Sequence, residues 1–246
     1  MKKLTQLFTF TLTLGISMFA SATENEQAKP YTSAFRFSAE EMHDIANPNK
    51  LAWRIFYTEP SKGENAHWFD AVKQGNLAEI KAMVEKGQDL EVKDTGSLGQ
   101  TALGWAAFIG YEDIVEYLIS QGASLFATDS GDVYNVLKSA VLGKNTHIVK
   151  KIYGNLSPVD LNDQSIESDG ETLLMVAASN NRLETVKFLI SQGANVNLVT
   201  TTKEPSMFSY NQSALSYACE RNLPEMQKLL IQNGAINHKT GKPSCN

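Results

Sequence analysis

The sequence predicts an all-α protein: a stack of about five helix-turn-helix units behind an N-terminal capping region. Three observations lead there. Residues 99–125, GQTALGWAAFIGYEDIVEYLISQGASL, hold two short helical patterns, and in the second Ile114, Val115, Leu118 and Ile119 fall on one face. Neither helix is long enough to be stable alone or to bury its apolar face alone, so the unit needs neighbours of its own kind. Those neighbours are present as copies. Leu103, Ala106, Ala107, Val115, Leu118 and Gly122 return 71 residues later as Leu174, Ala177, Ala178, Val186, Leu189 and Gly193. They return again 112 residues on as Leu215, Ala218, Cys219, Gln227, Leu230 and Gly234.

Weaker copies complete the series. One gives Leu137, Ala140, Val141, Val149 and Ile152; another gives Ala71, Val72, Ile80, Met83 and Gly87. Units therefore start near Trp68, Thr101, Asn135, Thr172 and Ser213, with steps of about 33–41 residues. Unit one (68–98) keeps the helix pair as WFDAVKQGN and LAEIKAMVEKG, and Asn76 is suited to cap its second helix. Unit two (99–131) ends its second helix at Gly122, where a left-handed residue belongs. Unit three (132–168) is the poorest copy and ends in GNLSPVD. Unit four (169–211) is a clean copy followed by an insertion, LVTTTKEPSMFSYN, and unit five (212–238) precedes a polar tail, 239–246, expected to fray.

The repeated motif resembles that of the ankyrin repeat family. Gln-Thr-Ala-Leu-Gly-Trp-Ala-Ala at 100–107, Glu-Thr-Leu-Leu-Met-Val-Ala-Ala at 171–178 and Gln-Ser-Ala-Leu-Ser-Tyr-Ala-Cys at 212–219 are similar to the family's T-P-L-H-x-A-A. Gly-Ala-Asn-Val-Asn at 193–197 is similar to its G-A-D-V-N ending. The resemblance covers about residues 68–238 and implies an ankyrin-repeat solenoid that binds other proteins. None of the units carries the family's His at the fourth motif position, which predicts looser bonding between helix and turn.

The N-terminal residues carry a different signal. Residues 1–22 have Lys2 and Lys3, a Thr-diluted apolar run from Leu4 to Phe19, and small residues at Ala20-Ser21-Ala22. That pattern predicts a signal peptide cleaved after Ala22 in a bacterial protein, and hence a periplasmic location; the run is short for a membrane anchor. Losing Lys2 and Lys3 moves the net charge from −5 to −7. Bulk charge of that sign does not attract nucleic acid or anionic membrane. In residues 23–67, an N-terminal arm and cap, Ser38 and Glu41 have capping-box spacing before a helix that Asn47-Pro48-Asn49 ends. The expected role of this region is to cover the open end of the stack.

Two groups of side chains stand out as candidate partner-binding residues. Trp105, Phe108 and Tyr217 form either an aromatic strip in the concave groove or apolar contacts between neighbouring first helices. Met207, Phe208 and Tyr210 sit in the insertion, either presented on a loop or folded back onto the flanking units. Cys219 aligns with Ala107 and Ala178, so a buried thiol is the expectation, with a bridge to Cys245 as the alternative that an oxidising compartment permits. No catalytic, cofactor-binding or metal-binding constellation is apparent: His43, His67, His147 and His238 are scattered, and no nucleophile elbow or phosphate loop is present. The reading is a non-enzymatic periplasmic module that binds another protein. The resemblance to the ankyrin repeat family, whose exported bacterial members include proteins that block a toxic enzyme, implies an immunity-type inhibitor as a concrete form of it. A stress-related scaffold, a structural envelope component, or an enzyme using His43, Asp44 and His67 in the N-terminal region are the alternatives.

Overall fold

The structure is a computed structural model, and it describes residues 35–38, 40–42, 60–130 and 133–246. The proposed signal peptide, His43, Asp44 and the Asn47-Pro48-Asn49 stop lie outside the described residues. Ten helices follow in pairs among the described residues: α1 Ala66–Lys73 and α2 Leu77–Glu85, α3 Ala102–Ile109 and α4 Glu112–Ser120, α5 Val136–Leu142 and α6 Thr146–Leu156, α7 Leu173–Ser179 and α8 Leu183–Ser191, α9 Ala214–Glu220 and α10 Pro224–Gln232. First helices contact one another in the order α1, α3, α5, α7, α9, and from α4 onward each second helix contacts the next. The five pairs are thus ranked in a row. None of the described helices is long and apolar enough to cross a membrane.

The two helices of a pair meet different surroundings. Every residue of α3, α5 and α7 is buried, because each is enclosed by the first helix before it, the one after it and its own second helix. Second helices bury only a stripe: Ile114, Val115 and Leu118 in α4, Ile148, Val149 and Ile152 in α6, Met226 and Leu230 in α10. Helix starts are capped at the same motif position in four units. The side chains of Thr101, Asn135, Thr172 and Ser213 accept from the backbone N–H three residues on. Asn76 caps α2 as expected.

The Gly-Ala pair closes second helices by one repeated arrangement. Gly122 N donates to Ile119 O and Ala123 N to Leu118 O, both at 3.0 Å, with Gly122 at φ +90°. Gly193-Ala194 and Gly234-Ala235 do the same after α8 and α10. A polar side chain from the preceding turn then grips that closure: Asn162 from unit three holds Asn195 N and Gly193 O, and Asn197 from unit four holds Ile236 N and Gly234 O. The final Asn of Gly-Ala-Asn-Val-Asn is therefore a bond between units.

Three features bear on the expectations. First, of the N-terminal arm and cap, Ser61 N donates to Asp70 Oδ1 of unit one, while Phe37 packs on Phe108 of unit two with Lys144 and Arg182 of units three and four over it; residues 43–59 lie outside the described residues. The capping box itself is present, Glu41 N donating to Ser38 Oγ at 3.1 Å and Ser38 N to Glu41 Oε2 at 2.9 Å. Second, the missing His does not leave helix and turn loosely bonded. The Gln100 side chain occupies the space beside Gly104, accepts from Thr101 N and donates to Ser139 Oγ, while Gln212 accepts from Ser216 Oγ.

Third, Cys219 is not a buried free thiol but is bonded to Cys245, with Cα atoms 5.3 Å apart. Ala107 and Ala178 are covered by the next unit, whereas α9 is met by the tail, through Cys245 at Cys219 and Lys239 at Glu220. The tail is accordingly folded: Asn237 N donates to Lys242 O at 2.9 Å and Lys239 pairs with Glu220. Removing the bridge, which closes a separation of 26 residues, is expected to cost about 3–4 kcal/mol. Urea unfolding of Cys245→Ser against the oxidised chain checks this; coincident midpoints would show that the bridge contributes nothing.

Candidate partner-binding surface

The structure divides the six aromatic and methionine candidates into interior and surface. Trp105 is 1% exposed and Tyr217 2%, so neither is offered to a partner along a groove; Phe108 is buried as well. They do not form a strip. Trp105 meets Phe108 edge-on at 6.2 Å within unit two, while Tyr217 stands in unit five with Phe208 against it at 5.6 Å. The motif position they share faces the stems of the turns, where large side chains fill space between units.

Around both rings lies a buried polar seam. Lys73 Nζ sits 2.7 Å from Asp94 Oδ2, with both side chains essentially inaccessible, and donates to Ser61 Oγ at 2.8 Å. Trp105 Nε1 donates to the same Asp94 oxygen at 3.1 Å, and the ammonium stands 5.1 Å from the Trp105 ring centre. Farther along, buried Lys138 pairs with Glu167, and the Tyr217 hydroxyl donates to Glu171. Burial pushes the Glu171 carboxyl up to about 7, with Asp169 and Glu167 adding to it and Lys138 and the Tyr217 hydroxyl opposing. The Tyr217 hydroxyl is itself pushed well above its ordinary range by burial and by Glu171 and Asp169. Each pairing joins a helix to the stem of a turn, so these charges hold the turns in place.

The insertion after unit four is built on such a stem. Thr200 N donates to Gln212 O at 2.8 Å and Gln212 N to Thr200 Oγ1 at 2.9 Å. Thr200 Oγ1 donates to Ser209 O, Gln212 Nε2 donates to Phe208 O at 3.0 Å, and Asn211, at φ +51°, donates to His238 O. At the base, Thr201 N donates to Asp169 O at 2.7 Å, tying this finger to the one before it. The tip faces solvent: Met207 is 56% exposed, Phe208 63% and Tyr210 39%. Phe208 rests one face on Tyr217 with the Arg221 guanidinium 6.0 Å from its ring centre, so the ring is positioned while remaining accessible. Of the two possibilities for this loop, presentation is the one realised.

Other features offer less. The cavity beside Trp105 and Phe108, lined also by Gln100 and Asp129, holds about 10 Å³, room for one water; small-molecule sites run to hundreds of Å³. The described histidines stay apart: His67 bonds Glu79 at 3.0 Å, His147 lies 3.8 Å from Glu112, and His238 faces Ile236 O. No group of His, Cys, Asp and Glu suited to a metal occurs among the described residues. Sequence reasoning missed Lys73, Lys138, Glu171 and Arg221. For the two lysines a signal existed: Lys138 stands at the fourth motif position and Lys73 aligns with Phe108, so both are charges where the pattern calls for interior residues.

Comparison with known proteins agrees with this architecture. The family pattern described as ankyrin repeats (3 copies) matches residues 42–131 and 137–240. The chain is 28% identical over 165 residues to "Ankyrin repeat and KH domain-containing protein mask-1" of Caenorhabditis elegans, covering 67% of this chain and 6% of that protein. It is 29% identical over 156 residues to an L-asparaginase of Dirofilaria immitis, covering 62% of this chain and 25% of that protein. A putative ankyrin repeat protein of Rickettsia felis is 26% identical over 129 residues, covering 52% of this chain and 41% of that protein. The chain thus spans less than half the length of each of these relatives.

The Glu171 environment sets a pH dependence of stability. Its pKa rises from an ordinary 4.5 to about 7 on folding. Between those values the folded chain keeps a proton that the unfolded chain has released. This contribution is therefore fully favourable below the lower value and is lost as pH rises through the upper. Relative to Glu171→Gln, the unsubstituted chain is expected to lose about 3 kcal/mol of stability from about pH 4 to about pH 8. Parallel denaturation curves for the two chains across that range would contradict it.

Proposed function

This chain belongs to the ankyrin repeat family, and we propose that it is a non-enzymatic, exported module that binds another protein through the finger between units four and five. Ankyrin repeats are in general interaction modules, and repeat stacks of this kind bind through extended preformed surfaces. The observation that carries the reading is the finger tip. Met207, Phe208 and Tyr210 are large, apolar and exposed within four residues of one another, on a stem fixed by side-chain and backbone hydrogen bonds. A rigid, aromatic, partly stacked projection binds at low ordering cost, and aromatic anchors supply most of the energy at such contacts.

The Cys219–Cys245 bridge supports export, because structural disulfides persist in oxidising compartments. Together with the Lys-led apolar leader of residues 1–22, it favours the periplasm. In that compartment the concrete role is an immunity-type inhibitor, whose finger enters a cleft of a toxic enzyme; an envelope scaffold is the other form this surface allows.

The test is recovery of a partner from periplasmic extract on the mature chain, followed by calorimetric titration of that partner. Phe208→Ala and Met207→Ser are each expected to weaken binding about tenfold or more while the melting temperature holds. Trp105→Ala is the contrasting variant, expected to destabilise the fold by about 3–5 kcal/mol. Unaltered affinity in both finger variants would dismiss the finger as the binding surface.

A further inference from the structure

Residues 35–38 and 40–42 lie across the turns that join the two helices of units two, three and four. Phe37 N donates to Ile109 O at 3.0 Å, where α3 ends. The chain passes so close over Gly110 that a Cβ there would come within 2.3 Å of Phe35 O, and Gly110 is at φ +109°. Glycine is thus required twice at this point, by the helix ending and by the approach of the segment. Phe35 stacks on His147 at 5.6 Å and the Arg36 guanidinium lies 5.4 Å from the Tyr111 ring centre.

The furrow beneath has a definite chemistry. Its floor is Phe108, whose ring is 5.0 Å from that of Phe37. Two cations close over Phe37 from later units, Lys144 Nζ at 4.9 Å and Arg182 Cζ at 5.3 Å from the ring centre. Lys144 also pairs with Glu41, and Arg182 is aimed by an Nε bond to Leu142 O at 3.0 Å. Burial works against the Glu41 carboxylate, but the bonds from Lys144 and Ser38 outweigh it and hold the group below its ordinary range. Burial pushes the Arg182 guanidinium down to about 10, and Glu41 acts in the opposite sense. The first helices meet in turn, α3 with α5 and α5 with α7, and Phe37 and Met42 are buried on the core they form. An apolar floor with two cations beside it is a receptor for an aromatic side chain followed, one helical turn later, by a carboxylate.

We propose that this furrow is a second peptide-recognition site, selective for a helical start bearing an aromatic residue and a carboxylate four positions on, and that the chain's own Phe37–Glu41 occupies it as an internal competitor. A partner presenting the same pair displaces residues 35–42 and takes their place. The site is separate from the finger tip, and its failure leaves the finger reading untouched.

The probe is a fluorescein-labelled peptide of residues 33–44, followed by anisotropy on the purified full chain and on the full-length variant Phe37→Ala/Glu41→Gln. A tethered segment competes at high effective concentration, so the variant is expected to bind the peptide at least about tenfold more tightly than the unsubstituted chain. Adding Lys144→Ala and Arg182→Ala to the variant is expected to remove that binding. A variant that remains folded by circular dichroism yet binds no better, or binding that survives loss of both cations, overturns the proposal. Hydrogen exchange of the unsubstituted chain covers the case in which the variant does not fold. Excess peptide is expected to speed exchange in residues 35–42, and unchanged protection there overturns the proposal equally.

Discussion

A helix of seven or eight residues that is apolar on almost every side can exist in water only if it is enclosed on every side. That requirement organises the molecule. The first helices α3, α5 and α7 have no solvent face at all, and each is supplied with walls by the units before and after it. Local propensity contributes little at this length, because nucleating so short a helix is unfavourable. Burial against neighbours supplies the stability, so the stack is cooperative from unit to unit and its ends are special. Beside α9 the place of a neighbouring unit is taken by the folded tail, bonded covalently at Cys219.

Ranking alone does not set the angle of the turns, and the buried charges do that. Lys73 with Asp94 and Lys138 with Glu167 each join a helix to the stem of a turn. Removing two charges from water is costly, and such pairs add little net stability over an apolar replacement. They do penalise every arrangement that leaves one partner alone. The result is a series of turns held in defined positions, on which the longest, between units four and five, carries Met207, Phe208 and Tyr210 outward.

Two opposite edges of the stack therefore present different chemistry. The finger edge offers exposed aromatic surface on a fixed stem. The edge of inter-helix turns offers cations, Lys144 and Arg182, around an aromatic floor, already engaged by residues 35–42. The interior between them is filled by side chains such as Trp105 and Tyr217. The exposed large side chains accordingly stand at an edge, and Trp105 and Tyr217 do not form an open strip along the first helices.

The helix pairs, their caps and their glycine closures were legible in the residues because each depends on local spacing. Thr101, Asn135, Thr172 and Ser213 begin the first helices, and Gly122, Gly193 and Gly234 end the second. The number of units and their order in a row followed from the same repetition, since a period in the sequence becomes a translation in space. What tertiary structure alone decided was which side of each element is covered. Trp105 and Phe208 are both large aromatics, yet one is enclosed and the other exposed, because covering depends on residues distant in the chain. The same holds for Cys219, which shares its motif position with Ala107 and Ala178 but stands where the stack ends and the tail returns. It holds as well for Phe37, whose partners Phe108, Lys144 and Arg182 come from three successive units and meet only when those units are aligned.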